Sequence, residues 1–89
     1  MHYFICRSLT RSGDGVLNEC YAQAPSHTLA KLAFTVAVNA SFAVRCHRLR
    51  NPVEPRLIVE HDGKWRFRQF ADPSLPWLEG DLSSTGWEQ

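Results

Sequence analysis

The chain has 89 residues, 44% of them hydrophobic, and a formal net charge of +1 at pH 7. This length supports one domain with a single modest core, and the apolar content is typical of a folded protein. No apolar run approaches the ~20 residues of a membrane-spanning helix, and residues 1–11 lack the order of a signal peptide. We therefore expect a cytoplasmic protein without a membrane partner.

The chain is predicted to begin with a β-hairpin. Residues 2–10 are rich in aromatic and β-branched side chains and indicate a strand that is central in the sheet. Residues 11–15 hold two glycines and an aspartate, which favour the positive φ angles of a turn. Residues 16–23 predict a second strand, with Cys20 and Ala22 on one face and Tyr21 on the other.

A helix of ~12 residues is predicted after Pro25. Ser26 can cap its first turn, and Asn39 tolerates the left-handed conformation that often ends a helix. The apolar side chains span roughly 200°, wider than the ~100° stripe of an ordinary surface helix. These side chains are Leu29, Ala30, Leu32, Ala33, Phe34, Val36, Ala37 and Ala40. Two interpretations remain open: a plain core helix, or a helix that also forms a homodimer through this wide arc.

The junction between the second strand and the helix resembles that of small accessory proteins of bacteria and phages. The residues that carry the resemblance are Tyr21, Ala22, Ala24, Ser26, Ala30, Leu32 and Ala33. What it implies is an accessory protein of a phage or other mobile element, including the class of inhibitors that block host defence complexes. It implies no particular catalytic or binding residue.

A third strand is predicted after the helix, because Phe42, Val44 and Cys46 alternate with Ala43, Arg45 and His47. The loop that follows, residues 51–55, contains two prolines and is therefore expected to be stiff.

Residues 56–70 predict a second hairpin that turns at Asp62-Gly63. A two-residue loop would place Val59 opposite Arg66 and mix apolar with charged groups on one face. We therefore expect a three-residue loop, residues 61–63, with Gly63 in the left-handed conformation. This register pairs Val59 with Trp65 and Leu57 with Phe67, and it makes Trp65 a core residue.

Residues 72–89 have neither a helical nor a strand period and contain prolines, glycines and serines, so we expect an irregular tail after a domain of residues 1–71. The tail is acidic, and Trp77 and Trp87 make it too apolar for a solvated linker. Either the tail covers part of the domain, or it is a recognition segment for a partner.

These elements predict an α+β fold of two layers. The sheet is mostly antiparallel and has about five strands in the chain order β-β-α-β-β-β, with the helix packed on one face.

Charge is distributed unevenly along the chain. Residues 45–68 carry seven Lys or Arg against three acids, and residues 69–89 carry four acids and no base. A basic strand face suits phosphates or an acidic protein surface. The predicted binding residues are Arg45, His47, Arg48, Arg50, Arg56, Arg66, Arg68, Trp77 and Trp87.

The sequence contains no motif for catalysis, for a metal or for a cofactor. Its three cysteines are not paired in a Cys-x-x-Cys motif, and we expect reduced core thiols. The leading hypothesis is a small non-catalytic protein that binds, and in one version inhibits, another protein or nucleoprotein complex. The alternative is a nucleic-acid-binding module that uses the arginine-rich sheet face.

Overall fold

The computed structural model describes residues 1–40, 43–61, 63–69 and 78–82. The elements in chain order are β1 His2–Leu9, β2 Val16–Ala24, α1 His27–Ala37, β3 Val44–Leu49, β4 Leu57–His61, β5 Trp65–Gln69 and β6 Leu78–Asp81. The strands form one sheet in the order β3-β1-β2-β4-β5-β6, in which β2 and β4 are parallel and the other neighbours are antiparallel. The predicted α+β fold and element order are confirmed, and β6 adds a sixth strand.

The first hairpin forms as its sequence predicts. Gly13 has a φ of +82°, and the Thr10 N–H donates to the Gly15 carbonyl at 2.9 Å to close the turn. β1 lies between β2 and β3, so it is an interior strand as expected. Cys6 stands directly opposite Cys20 in this hairpin.

Helix α1 begins and ends where local signals indicate. The Ser26 side chain accepts a hydrogen bond from the Leu29 N–H at 3.2 Å, which satisfies one free donor of the first turn. Asn39 follows the helix with a φ of +51°. The wide apolar arc is only partly buried, because Val36 remains 42% exposed. In the described part of the chain, α1 is the helix, and it lacks the length and apolar content to span a membrane.

The core lies between α1 and one face of the sheet, called here the covered face. Phe4, Phe34 and Leu57 are its largest fully buried side chains. The other buried apolar residues are Cys6, Ala22, Ala24, Leu29, Ala30, Ala33, Val44, Cys46, Val59, Phe67 and Leu82. Small residues on β2 and α1 let the helix backbone lie close to the sheet.

The predicted register of the second hairpin is wrong by two residues. Val59 faces Phe67, and His61 faces Trp65, so residues 62–64 separate the paired strands. Gly63 has a φ of +76°, as expected. A shift of two residues leaves every side chain on its original face, so the apolar pattern could not choose between the registers. Trp65 is consequently half-buried at the margin of the core, with its ring 4.9 Å from that of His61.

β3 and β4 run parallel and lie three positions apart in the sheet. The connection between them must therefore pass β1 and β2. The first crossover, from β2 to β3, runs through α1 on the covered face. Because right-handed crossovers are strongly preferred, we expect residues 50–56 to lie on the opposite face. Val53 and Pro55 are half-buried in this otherwise exposed loop, in accord with that path.

Strand β6 lies within the segment that was expected to be irregular. Gly80 stands opposite Phe67, and a Cβ built at Gly80 would lie 2.1 Å from Cε1 of that ring. The absence of a side chain therefore lets the strand pass over Phe67. Leu82 is fully buried, and its N–H donates to the Trp65 carbonyl at 3.0 Å. Four residues around a glycine are too few to show a strand period, which is why the sequence pattern missed β6.

Candidate functional site: the edge of β3 beside α1

The predicted binding residues do not all lie on one face. Five of them alternate with buried residues of β3, β4 and β5 and therefore lie on the face opposite to α1: Arg45, His47, Arg56, Arg66 and Arg68. Arg48 pairs with Phe4 and shares the covered face, and Arg50 lies in the crossover. Trp77 and Trp87 lie outside the described residues.

Four of these residues form two separate groups, Arg45 with His47 on β3 and Arg66 with Arg68 on β5. β3 is one edge of the sheet, and β5 lies four strand positions away, or roughly 19 Å at the usual strand spacing. On β5, Arg66 Nη2 lies 3.3 Å and Arg68 Nε 3.1 Å from Oε1 of Glu60. The β5 group is thus partly neutralised by a carboxylate on the neighbouring strand.

The β3 group borders a groove between the sheet edge and α1, called here the β3–α1 groove. Its lining residues are His27, Lys31, Ala43, Val44, Arg45, Cys46 and His47. Apart from the Cys46 thiol, every ionisable side chain among them is basic. His27, Lys31, Arg45 and His47 are all exposed. A shallow depression on α1, which also includes Leu32, continues from the groove through His27 and Lys31.

The hydrogen-bond pattern of β3 leaves backbone groups directed into this groove. The Leu9 N–H donates to the Ala43 carbonyl at 2.9 Å, and the β1–β3 pairing continues from there without a shift. Hydrogen-bonded pairs alternate with non-bonded pairs along an antiparallel ladder. The N–H and C=O groups of Val44, Cys46 and Arg48 therefore point away from β1.

His27 satisfies one of these outer groups. Its Nε2 donates to the Cys46 carbonyl at 2.7 Å, and its ring makes an edge contact with Phe4 at a centroid distance of 6.0 Å. Sequence reasoning did not select His27 or Lys31 as site residues. Their spacing of four residues places both on one polar face of the helix. This pattern indicates a binding site only once β3 is known to be an edge strand.

The three cysteines form a row across β3, β1 and β2, with Cys46 opposite Cys6 and Cys6 opposite Cys20. The Sγ atoms of Cys6 and Cys46 lie 2.7 Å apart. Their shared hydrogen bond raises the pKa of Cys6 and lowers that of Cys46. Burial raises the pKa of Cys20 to about 11. All three are free thiols, and no group within the described ranges is arranged to hold a metal ion.

Some apolar side chains stay exposed away from the groove. Val16 is 52% exposed and Leu17 62% exposed at the start of β2, and Val36 is exposed on α1. The homodimer predicted from the wide helix arc would use Val36, and it stays a prediction.

Comparisons with protein-family models, with curated proteins and with solved structures find no match for this chain.

Proposed function

We propose that this protein is a non-catalytic interaction module that binds an acidic surface of another protein at the β3–α1 groove. The observation that supports this proposal is the composition of the groove, whose described lining residues include four exposed basic residues and no carboxylate, beside a strand edge that no described strand pairs with. Arginine is enriched in protein interfaces, and complementary charge raises association rates and specificity. The resemblance to accessory proteins of mobile elements suggests a host complex as the source of the partner.

Charge alone supports only weak binding at this site. An exposed ion pair contributes about 0–1 kcal/mol, so Lys31 and Arg45 together would supply roughly 0–2 kcal/mol. A stable complex therefore also needs burial of apolar surface, for which the partly exposed Leu32 beside the groove is available.

The alternative function, binding of nucleic acid, would use the same basic side chains. Proteins that bind single strands usually add aromatic rings on which bases stack. Among the lining residues of the β3–α1 groove that the structure describes, the rings are those of His27 and His47, and none is a Phe, Tyr or Trp. This composition favours an acidic protein over nucleic acid.

Charge reversal in the groove tests the proposal. The variant Lys31→Glu/Arg45→Glu should weaken binding of a poly-glutamate probe by roughly 5- to 30-fold, because two attractive contacts become repulsive. The matched control Arg11→Glu/Lys64→Glu makes the same change in net charge within the two hairpin turns, and it should retain binding.

Fluorescence anisotropy with labelled poly-glutamate and with a labelled single-stranded oligonucleotide gives the two affinities, and circular dichroism verifies that each variant is folded. Equal loss of poly-glutamate binding in both double variants would refute a specific site. Tighter binding of the oligonucleotide, with affinity that falls steeply with salt, would support the nucleic-acid alternative instead.

A further inference from the structure

We propose that the partner contributes an extended acidic segment that adds to the outer edge of β3 as a further strand, beside α1. This inference rests on the proposed function and specifies its binding mode and the conformation of the ligand.

The backbone of β3 is suited to strand addition. The outer N–H and C=O groups of Val44, Cys46 and Arg48 repeat at every second residue, which is the spacing that a neighbouring strand requires. β3 contains neither proline nor glycine, so this row of donors and acceptors is not interrupted. The Cys46 carbonyl already accepts from His27, but a carbonyl oxygen has two lone pairs and can accept a second N–H.

The side chains around the edge determine the charge of the added strand. Successive side chains of a strand point to opposite faces. One set would point to the α1 side, where Lys31 and His27 border the groove. The other set would point to the opposite face, where Arg45 and His47 are exposed. Carboxylates on either set of side chains would lie near basic groups. An acidic segment is therefore favoured whichever set carries its acids.

A second copy of this chain is disfavoured at the same edge in the register that pairs the whole of β3. Antiparallel pairing of two β3 strands about a two-fold axis at Cys46 would place Arg45 of one copy opposite His47 of the other. Basic side chains directly opposite each other destabilise a strand pair. Charged edge residues of this kind hinder self-association of sheets, and here they select an acidic partner.

Amide hydrogen exchange with a designed peptide tests strand addition. The probe is a blocked peptide of alternating Glu and Val, as long as β3, added to the full chain at roughly millimolar concentration to detect weak binding. The amides of Val44, Cys46 and Arg48 should exchange at least ~10-fold more slowly with the peptide. The amides of Arg45 and His47 already bond to β1 and should change little.

Two control peptides separate backbone pairing from charge attraction. A version that is N-methylated at every residue loses the donors on both of its sides and should lose binding whichever side faces β3, although its charge is unchanged. A peptide with Lys in place of Glu should not bind.

The outcomes distinguish this inference from the proposed function. Binding that depends on Lys31 and Arg45 without protection of the outer β3 amides would refute strand addition and leave the proposed function standing. Absence of any acidic-peptide binding would refute both. Protection of the same amides by an oligonucleotide, or equal binding of the Lys peptide, would overturn the choice of an acidic segment.

Discussion

Replacing Gly80 with alanine tests whether β6 passes closely over Phe67. The new Cβ would lie 2.1 Å from Cε1 and 2.3 Å from Cζ of Phe67. Carbon atoms in contact normally lie about 3.5–4.0 Å apart, so the groups must separate by roughly 1.5 Å. Phe67 is only 4% exposed and cannot turn away without disturbing the core. We therefore expect Gly80→Ala to lower the free energy of unfolding by about 1–3 kcal/mol, the usual cost of overpacking.

Urea unfolding followed by tryptophan fluorescence measures this loss. The control is a double-mutant cycle with Phe67→Leu, whose narrower side chain leaves room for the new methyl group. Gly80→Ala should cost at least ~1 kcal/mol less in the Phe67→Leu background than in the parent. If Gly80→Ala leaves the parent unchanged, β6 does not lie over Phe67. An equal loss in both backgrounds would attribute the effect to the backbone and not to the ring.

Three further predictions follow from burial and from one pKa. Phe67→Ala should lower the free energy of unfolding in urea by about 3–5 kcal/mol, and Trp65→Ala should lower it less, because Trp65 is only half-buried. A larger loss for Trp65→Ala than for Phe67→Ala would contradict the observed register. The raised pKa of Cys20, about 11, favours the neutral thiol in the folded state, so its stabilising contribution is complete below pH ~9 and declines as pH rises toward 11. Unfolding at pH 8 and at pH 10.5 should therefore show a smaller decline for Cys20→Ala than for the parent, and equal declines would refute this. Deleting residues 72–89 removes β6 and uncovers Phe67 and the edge of β5, so we expect lower solubility and lower stability. A truncated chain that is monomeric and as stable as the parent, but that loses partner binding, would instead identify the tail as a recognition segment.

The sequence by itself determined the features that depend on neighbouring residues. Ser26 and Asn39 mark the two ends of α1 because capping and left-handed conformations involve atoms within a few residues. Gly13 marks the first turn for the same reason. Alternation within β3, β4 and β5 also assigned the buried faces correctly, since Val44, Leu57 and Phe67 lie in the core.

Only the tertiary structure decided how the strands are arranged. The parallel pairing of β2 with β4 follows from two crossovers and makes β3 an edge, and no local pattern encodes that order. The hairpin register could shift by two residues without moving a side chain to the other face. The β3–α1 groove depends on the strand order, because His27, Lys31 and Arg45 line one groove only when α1 packs beside a strand with no described neighbour on its outer side.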